Sequence, residues 1–210
     1  VIGSKQTFGK GTVQNVIDLN RIISGSTHGD LGAVKLTTDK FYRINGGSTQ
    51  LEGVKSDIVI LDRYSYVDLG EKDQENPLTW DQIKPAKYKP WSNQFNYDYA
   101  LSESSQRLAS NSYIKLVDEQ AKWVQLQQDD YDYTLNYEVY LNEREENLKV
   151  TDRFKTLNDF DSDLSFEWLP EAGVEVNDEI KERRDRWVQN LEKDFYINEA
   201  VNVLGDLNLN

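Results

Sequence analysis

The sequence predicts an α+β chain, in which a β-rich first third precedes a mostly α-helical remainder. Three observations carry this. Up to about Val67, short apolar runs alternate with glycine-rich turns, the pattern of strands and hairpins. After Trp91 the apolar residues take helical spacing, as at Ile114, Val117, Ala121 and Val124, which marks one face of a helix. Between these parts, residues 69–90 are charged, hold Pro77, Pro85 and Pro90, and show little periodicity. The expected organisation is therefore 1–67, a β-rich part; 68–90, a linker or irregular wrap anchored by Trp80 and Trp91; and 91–210, a helical domain.

Each element follows from local chemistry. Residues 13–23 space their apolar side chains for strand or mixed structure, and 32–38 read as a returning strand. The turn between them (25–30) is rich in Gly, Ser and Asp, which tolerate left-handed backbone or bond to it. Residues 39–44 form a short amphipathic segment that Asn45-Gly46-Gly47 stops, and 54–61 read as another strand. Leu101 and Leu108 extend the helix through Ile114 towards the N-terminus. The tyrosines at 131, 133, 137 and 140 favour β-structure or open another helix, and 143–157 read as a solvated helix. Residues 158–177 form an acidic loop containing Pro170 and Gly173. A final helix starts at Asn177 or Asp178, either of which can cap it. Its buried face is expected at Ile180, Trp187 and Leu191, then Ile197, Val201 and Leu204, with Gly205 ending or kinking it.

Composition excludes several functions. The formal net charge is −13, and an acidic surface repels phosphate backbones, so no nucleic-acid partner is expected. With no cysteine, disulfides and thiolate metal sites are ruled out. No apolar run approaches the ~20 residues of a membrane span. The chain has no methionine and starts at Val1, so it is expected to be part of a longer protein. Its strands are then expected to pair with the missing N-terminal part or with another chain, because isolated sheet edges are exposed templates.

The segment Thr7-Phe8-Gly9-Lys10-Gly11-Thr12-Val13-Gln14 is the most informative motif. A phosphate-binding loop needs Gly, four residues, then Gly-Lys-Ser/Thr. Here five residues separate Gly3 from Gly9, and Gly11 follows the lysine, so that reading is rejected. An arbitrary Gly-Lys-Gly is most often a tight turn with a solvated lysine. The surroundings favour a third reading. Val1-Ile2-Gly3 with residues 7–14, and Lys35 to Ile58 with its Gly53-Val54-Lys55-Ser56-Asp57-Ile58 closing strand, resemble the general-base region of the tail-specific (carboxy-terminal processing) serine proteases, peptidase family S41. Ser56 stands where that family usually has proline. Residues 90–95, 141–146 and 193–207 resemble the helical C-terminal domain of the longer members, at lower density.

The resemblance implies that 1–67 is the C-terminal part of a protease core and that Lys10 is the general base of a Ser-Lys mechanism, with Gln14 orienting Lys10 or its serine partner. A lysine base must be neutral, and burial disfavours the ammonium. Flanking glycines let other backbone approach closely and seal the amine from water. In an extended strand, residues four apart share a face, which would bring Gln14 to Lys10. The nucleophilic serine and oxyanion hole lie upstream in the family, whereas only nine residues precede Lys10 here; Ser4, Ser24, Ser26 and Ser48 read as turn residues. His28 is the one histidine and reads as a solvated loop residue. Asp159-Phe-Asp-Ser-Asp163 alternates like a calcium loop but lacks its glycine and glutamate.

By resemblance the substrates are proteins or peptides with free C-termini, recognised by an upstream PDZ domain. No cofactor is implied, and the location is periplasmic or exported, peripheral to the inner membrane. An adaptor protein or self-association is the further partner class. The alternative is a non-catalytic helical platform acting in protein–protein interaction.

Overall fold

In the computed structural model, which describes residues 1–23, 25, 27, 29–89, 95–169 and 177–207, the chain runs through four strands and six α-helices among the described residues. These are β1 (Ile2–Gly3), β2 (Thr12–Asp18), α1 (Leu19–Ile22), β3 (Ala33–Lys40), β4 (Ile58–Val59), α2 (Tyr97–Ser110), α3 (Ser112–Asp129), α4 (Tyr137–Phe154), α5 (Asp178–Glu192) and α6 (Phe195–Leu207). Short 3-10 turns lie at Glu71–Asp73 and Lys155–Asp159. The expected α+β class is found: small sheets early, helices late. Ser24, Ser26, His28, Pro90, Trp91, Pro170 and Gly173, all named above, lie outside the described residues.

The chain divides into two units. One comprises Val1–Lys5, Ser56–Val67 and Asn93–Asn210; the other comprises Gln6–Lys55 and Asp68–Ser92.

In the helical unit, asparagines set where helices begin. Asn96, Asn111, Asn136 and Asn177 each accept a backbone N–H of the first turn of α2, α3, α4 and α5, satisfying donors that the helix leaves free. Asn111 also corrects a sequence expectation. Leu101 and Leu108 belong to a separate helix, α2, because the Asn111 side chain takes the Tyr113 and Ile114 N–H groups and starts α3 anew. Likewise the final helix is two helices. Asp194 accepts from the Tyr196 and Ile197 N–H groups at 2.8 and 3.2 Å and restarts the chain as α6. Gly205 does not end α6, which runs through it to Leu207.

The core of this unit gathers Ile58 and Ile60 from the β4 segment, Ala100 of α2, Ile114 of α3, and Phe195 and Val203 of α6. Tyr113, Phe160 and Phe195 form an aromatic cluster with centroids 5.0–5.3 Å apart. β1 pairs parallel with β4 over two residues, Ile2 opposite Ile58, so the strand expected over 54–61 is short. α6 buries Phe195, Glu199 and Val203 rather than Ile197, Val201 and Leu204. Glu199 is inside because Arg107 brackets its carboxylate, Nη2 at 2.8 Å, while the Ser104 hydroxyl donates to it at 2.6 Å. Arg107 Nη1 also meets Asp206 at 2.8 Å. Tyr131, Tyr133 and Tyr137 are all exposed.

In the second unit, β2 and β3 form an antiparallel hairpin from Thr12 opposite Lys40 to Asp18 opposite Ala33, with one register shift at Val13/Gln14. Asp18 caps α1 at the hairpin's end. No helix forms among 41–57. Instead these residues turn repeatedly, with bridges between Tyr42 and Ser48 and between Gln6 and Lys55. Residues 68–89 are an irregular wrap in this unit, and Trp80 Nε1 donates to the Ser48 carbonyl at 2.9 Å.

Candidate active site

The Gly9-Lys10-Gly11 loop is shaped by the close approach of residues 48–51. Gly9 has φ +91, in the left-handed region that favours glycine. A Cβ on Gly11 would lie 2.4 Å from the Gln50 nitrogen and 2.6 Å from Ser48 Oγ, so only glycine fits. Three hydrogen bonds hold the loop in this place: Leu51 N–H to Gly9 O at 2.7 Å, Gly11 N–H to Gln50 Oε1 at 2.9 Å, and Thr49 Oγ1 to Lys10 O at 3.0 Å. Leu51 itself sits at φ +65, a strained conformation for a branched side chain. The backbone carrying Lys10 is thus fixed from both sides.

Gln50 is the hub of this arrangement and has no exposed surface. Besides accepting from Gly11, its Nε2 donates to Leu78 O at 3.0 Å and to Glu71 Oε1 at 3.2 Å. All of its polar atoms are therefore engaged, which a fully buried amide requires. Glu71 opens the 3-10 turn. Its N–H donates to Phe8 O at 2.8 Å, and Asp73 steadies the turn by accepting from Gly70 N–H at 2.7 Å. The Glu71 carboxylate then stands 3.9 Å from Lys10 Nζ.

The structure places the expected site residues as follows. Lys10 is presented on a rigid loop, but the expected seal reaches only the backbone: Gly9 and Gly11 are buried, while the Lys10 side chain keeps 41% of its surface exposed. The cause is geometric, because residues 48–51 press on the glycines and leave the lysine side chain on the open side, towards Glu71. Gln14 lies on β2, which begins at Thr12, after Lys10, so the two do not share one regular strand face. The Gln14 amide donates to Thr37 Oγ1 at 3.5 Å. Ser48 is committed to structure: its Oγ accepts from Gln50 N–H at 3.0 Å, as a turn residue does.

Sequence reasoning missed Gln50 and Glu71. Gln50 lies within the stretch Lys35 to Ile58 that carries the family resemblance, where nothing singled it out. Glu71 carries no local signal, because fold-scale contact brings it to a loop 61 positions earlier. Chemically, the arrangement offers an amine on a fixed loop facing an anchored carboxylate. Such an amine can take up and release a proton beside a reacting group that lies within its reach.

Comparison with known proteins adds the family. Residues 64–208 match the family described as the C-terminal domain of tail specific protease, and residues 1–60 match peptidase family S41. The tail-specific protease of Haemophilus influenzae is 34% identical over 163 residues, which is 76% of this chain and 23% of that protein. The carboxy-terminal-processing protease of Bartonella bacilliformis is 36% identical over 107 residues, 51% of this chain and 16% of that protein. The chain belongs to the tail-specific proteases of peptidase family S41.

Proposed function

We propose that the protein carrying this chain is a serine-type endopeptidase that processes or degrades proteins from their C-termini, with Lys10 as general base. The observation that supports this reading is the Lys10 loop, whose glycines and hydrogen bonds hold the backbone that carries the amine in a fixed place, within a chain of this family. Neutral Lys10 would take the proton of a serine hydroxyl supplied by residues outside this chain. The serine oxygen would attack the substrate carbonyl, and the protonated amine would return its proton to the departing amine as the acyl-enzyme forms. Water then attacks the acyl-enzyme and frees the serine. Gln14 would orient Lys10 or its serine in the assembled site, and an oxyanion hole from upstream backbone would hold the developing charge. By itself the chain would not cut. The location proposed is periplasmic or exported, peripheral to the inner membrane.

A second role is favoured by one observation, the exposed tyrosines 131, 133 and 137 beside Asp129, Asp130 and Asp132. The helical unit would offer this surface to an adaptor protein or to another copy, as a platform rather than a catalyst.

The deciding experiment uses the full-length protein and a substrate with a free C-terminus. Lys10→Ala is expected to reduce kcat by at least ~10²-fold, the scale of a lost general base, with the fold intact by circular dichroism. Unchanged cleavage would rule out Lys10 as the base. Gln14→Ala is expected to lower the rate less.

A further inference from the structure

Glu71 has no role in the reading above, yet it is built into the Lys10 loop more firmly than a surface carboxylate needs to be. Its backbone N–H is tied to Phe8 O at 2.8 Å, two residues before Lys10. Its Oε1 accepts from Gln50, the same fully buried residue that accepts from Gly11 N–H, one residue after Lys10. That oxygen is also the one 3.9 Å from Lys10 Nζ, and the Glu71 side chain is only 14% exposed. One buried amide therefore sets both the loop that carries the amine and the carboxylate that faces it. The other charged groups on the segments packed here are occupied or turned away. Glu52 pairs with Lys55 at 3.5 Å, Lys40 with Asp81 at 3.2 Å, and Asp73 caps Gly70. Lys72 is exposed.

We propose that Glu71, locked by Gln50, is a positioning residue for Lys10: its carboxylate fixes where the amine rests. The Lys10 side chain is 41% exposed, and the Glu71 carboxylate, 3.9 Å from its Nζ, gives it one anchored partner to rest against. The proposal rests on the reading of Lys10 as base for its catalytic consequence, but the coupling between the two residues can be measured without it.

The test is made on the full-length protein with Glu71→Gln, whose new amide oxygen can still accept from Gln50. Two things are measured: kcat and KM on a peptide with a free C-terminus, and the rate of acetylation of the Lys10 amine by trace acetic anhydride at one fixed pH, read by peptide mapping against the exposed Lys72. Glu71→Gln is expected to lower kcat several-fold with KM little changed, as the amine loses its rest position. Lys10 acetylation relative to Lys72 is expected to rise about threefold, the scale of a partly exposed ion pair, because the amine is no longer held against a carboxylate. Glu71→Asp keeps the charge and is expected to return both measures towards those of the unaltered protein, and it serves as the second variant if Glu71→Gln does not fold. Values that match those of the unaltered protein would overturn the proposal, as would a fall in kcat with Lys10 acetylation unchanged. If Lys10→Ala leaves proteolysis intact while Lys10 acetylation in Glu71→Gln still rises, the general-base reading fails and the Glu71–Lys10 coupling stands.

Discussion

Gly11→Ala tests whether the lysine loop is held by close approach or merely tolerates it. An added Cβ would lie 2.4 Å from the Gln50 nitrogen, 2.6 Å from Ser48 Oγ and 2.9 Å from Gln50 Cα. Two of these three atoms are backbone, so the strain is not relieved by turning a side chain. Forcing the segments apart costs roughly 1–3 kcal/mol, as overpacking does in cores. The separation also strips the fully buried Gln50 Oε1 of its Gly11 donor, now at 2.9 Å, and a buried acceptor left unpaired costs about 1–3 kcal/mol more. A loss of about 3 kcal/mol is therefore expected. It is read by native-state hydrogen exchange at the Leu51 amide, which donates to Gly9 O, and the Phe41 amide, which donates to Gly11 O. Their protection is expected to fall about 150-fold, since each 1.4 kcal/mol is a factor of ten. Gly205→Ala is the control: nothing lies within 4 Å of its added Cβ, and within α6 it should stabilise by about 0.5–1 kcal/mol. Protection at Leu51 and Phe41 that changes less than threefold in Gly11→Ala would refute the reasoning.

Two further outcomes follow from the helical unit. Glu199→Ala strands the buried Ser104 hydroxyl and removes the main partner of Arg107, whose guanidinium the Glu199 hydrogen bonds hold more firmly protonated than usual. Because Asp206 still pairs with Arg107, the cost is set at about 3 kcal/mol, the low end for a broken buried pair. Urea unfolding followed by far-ultraviolet circular dichroism measures it, and a loss below about 1 kcal/mol would contradict the assignment. The Tyr196 phenol donates to Leu61 O at 3.2 Å, and burial first, then the nearby Asp62, Tyr113 and Asp194, push its pKa up to about 12. An unfolded tyrosine ionises near pH 10, so the folded state binds the extra proton in between. The contribution is full below about pH 10 and lost as pH rises towards 12. Tyr196→Phe should therefore lose less stability than the unaltered protein between pH 9.5 and about 11.5, and equal slopes would count against the buried phenol.

How much was legible in the sequence depends on how far apart the interacting residues lie. The buried positions Ile114, Val117 and Ala121 of α3 could be read because they repeat within a few residues on one face. The breaks at Asn111 and Asp194 could not, because α2 with α3, and α5 with α6, carry apolar spacing on either side of them. Only the capping carboxamide or carboxylate marks the break, and Asn and Asp are common in loops as well. Glu199 was not singled out, because a lone acid in an apolar stripe reads as a solvated position. Its burial depends on Arg107, 92 residues away. The Lys10 loop was legible as a motif, and its two glycines announced that something approaches closely. What approaches, Gln50 and Leu51, was not legible, since 39 residues and a whole hairpin intervene.

That separation bears on how the site should be understood. The position of Lys10 is fixed by contacts among residues 8–11, 48–51 and 70–71, three segments that meet only when this unit is folded. The hydrogen bonds that place the amine are the same ones that bury Gln50, so the loop cannot drift without leaving a buried amide unpaired. Mobility of the amine is thereby confined to the Lys10 side chain itself, on the open side next to Glu71. An amine on a fixed backbone, its side chain resting beside Glu71, would meet the two demands on the proposed general base: it would wait in one place, and it could still move the short distance that proton transfer needs. Substitutions at Gln50 would relax both the backbone of the loop and the carboxylate facing it, whereas Glu71→Gln, which keeps an acceptor for the Gln50 amide, removes only the charge facing Lys10. Glu71→Gln therefore separates control of the amine from stability of the fold, and Gln50 variants do not.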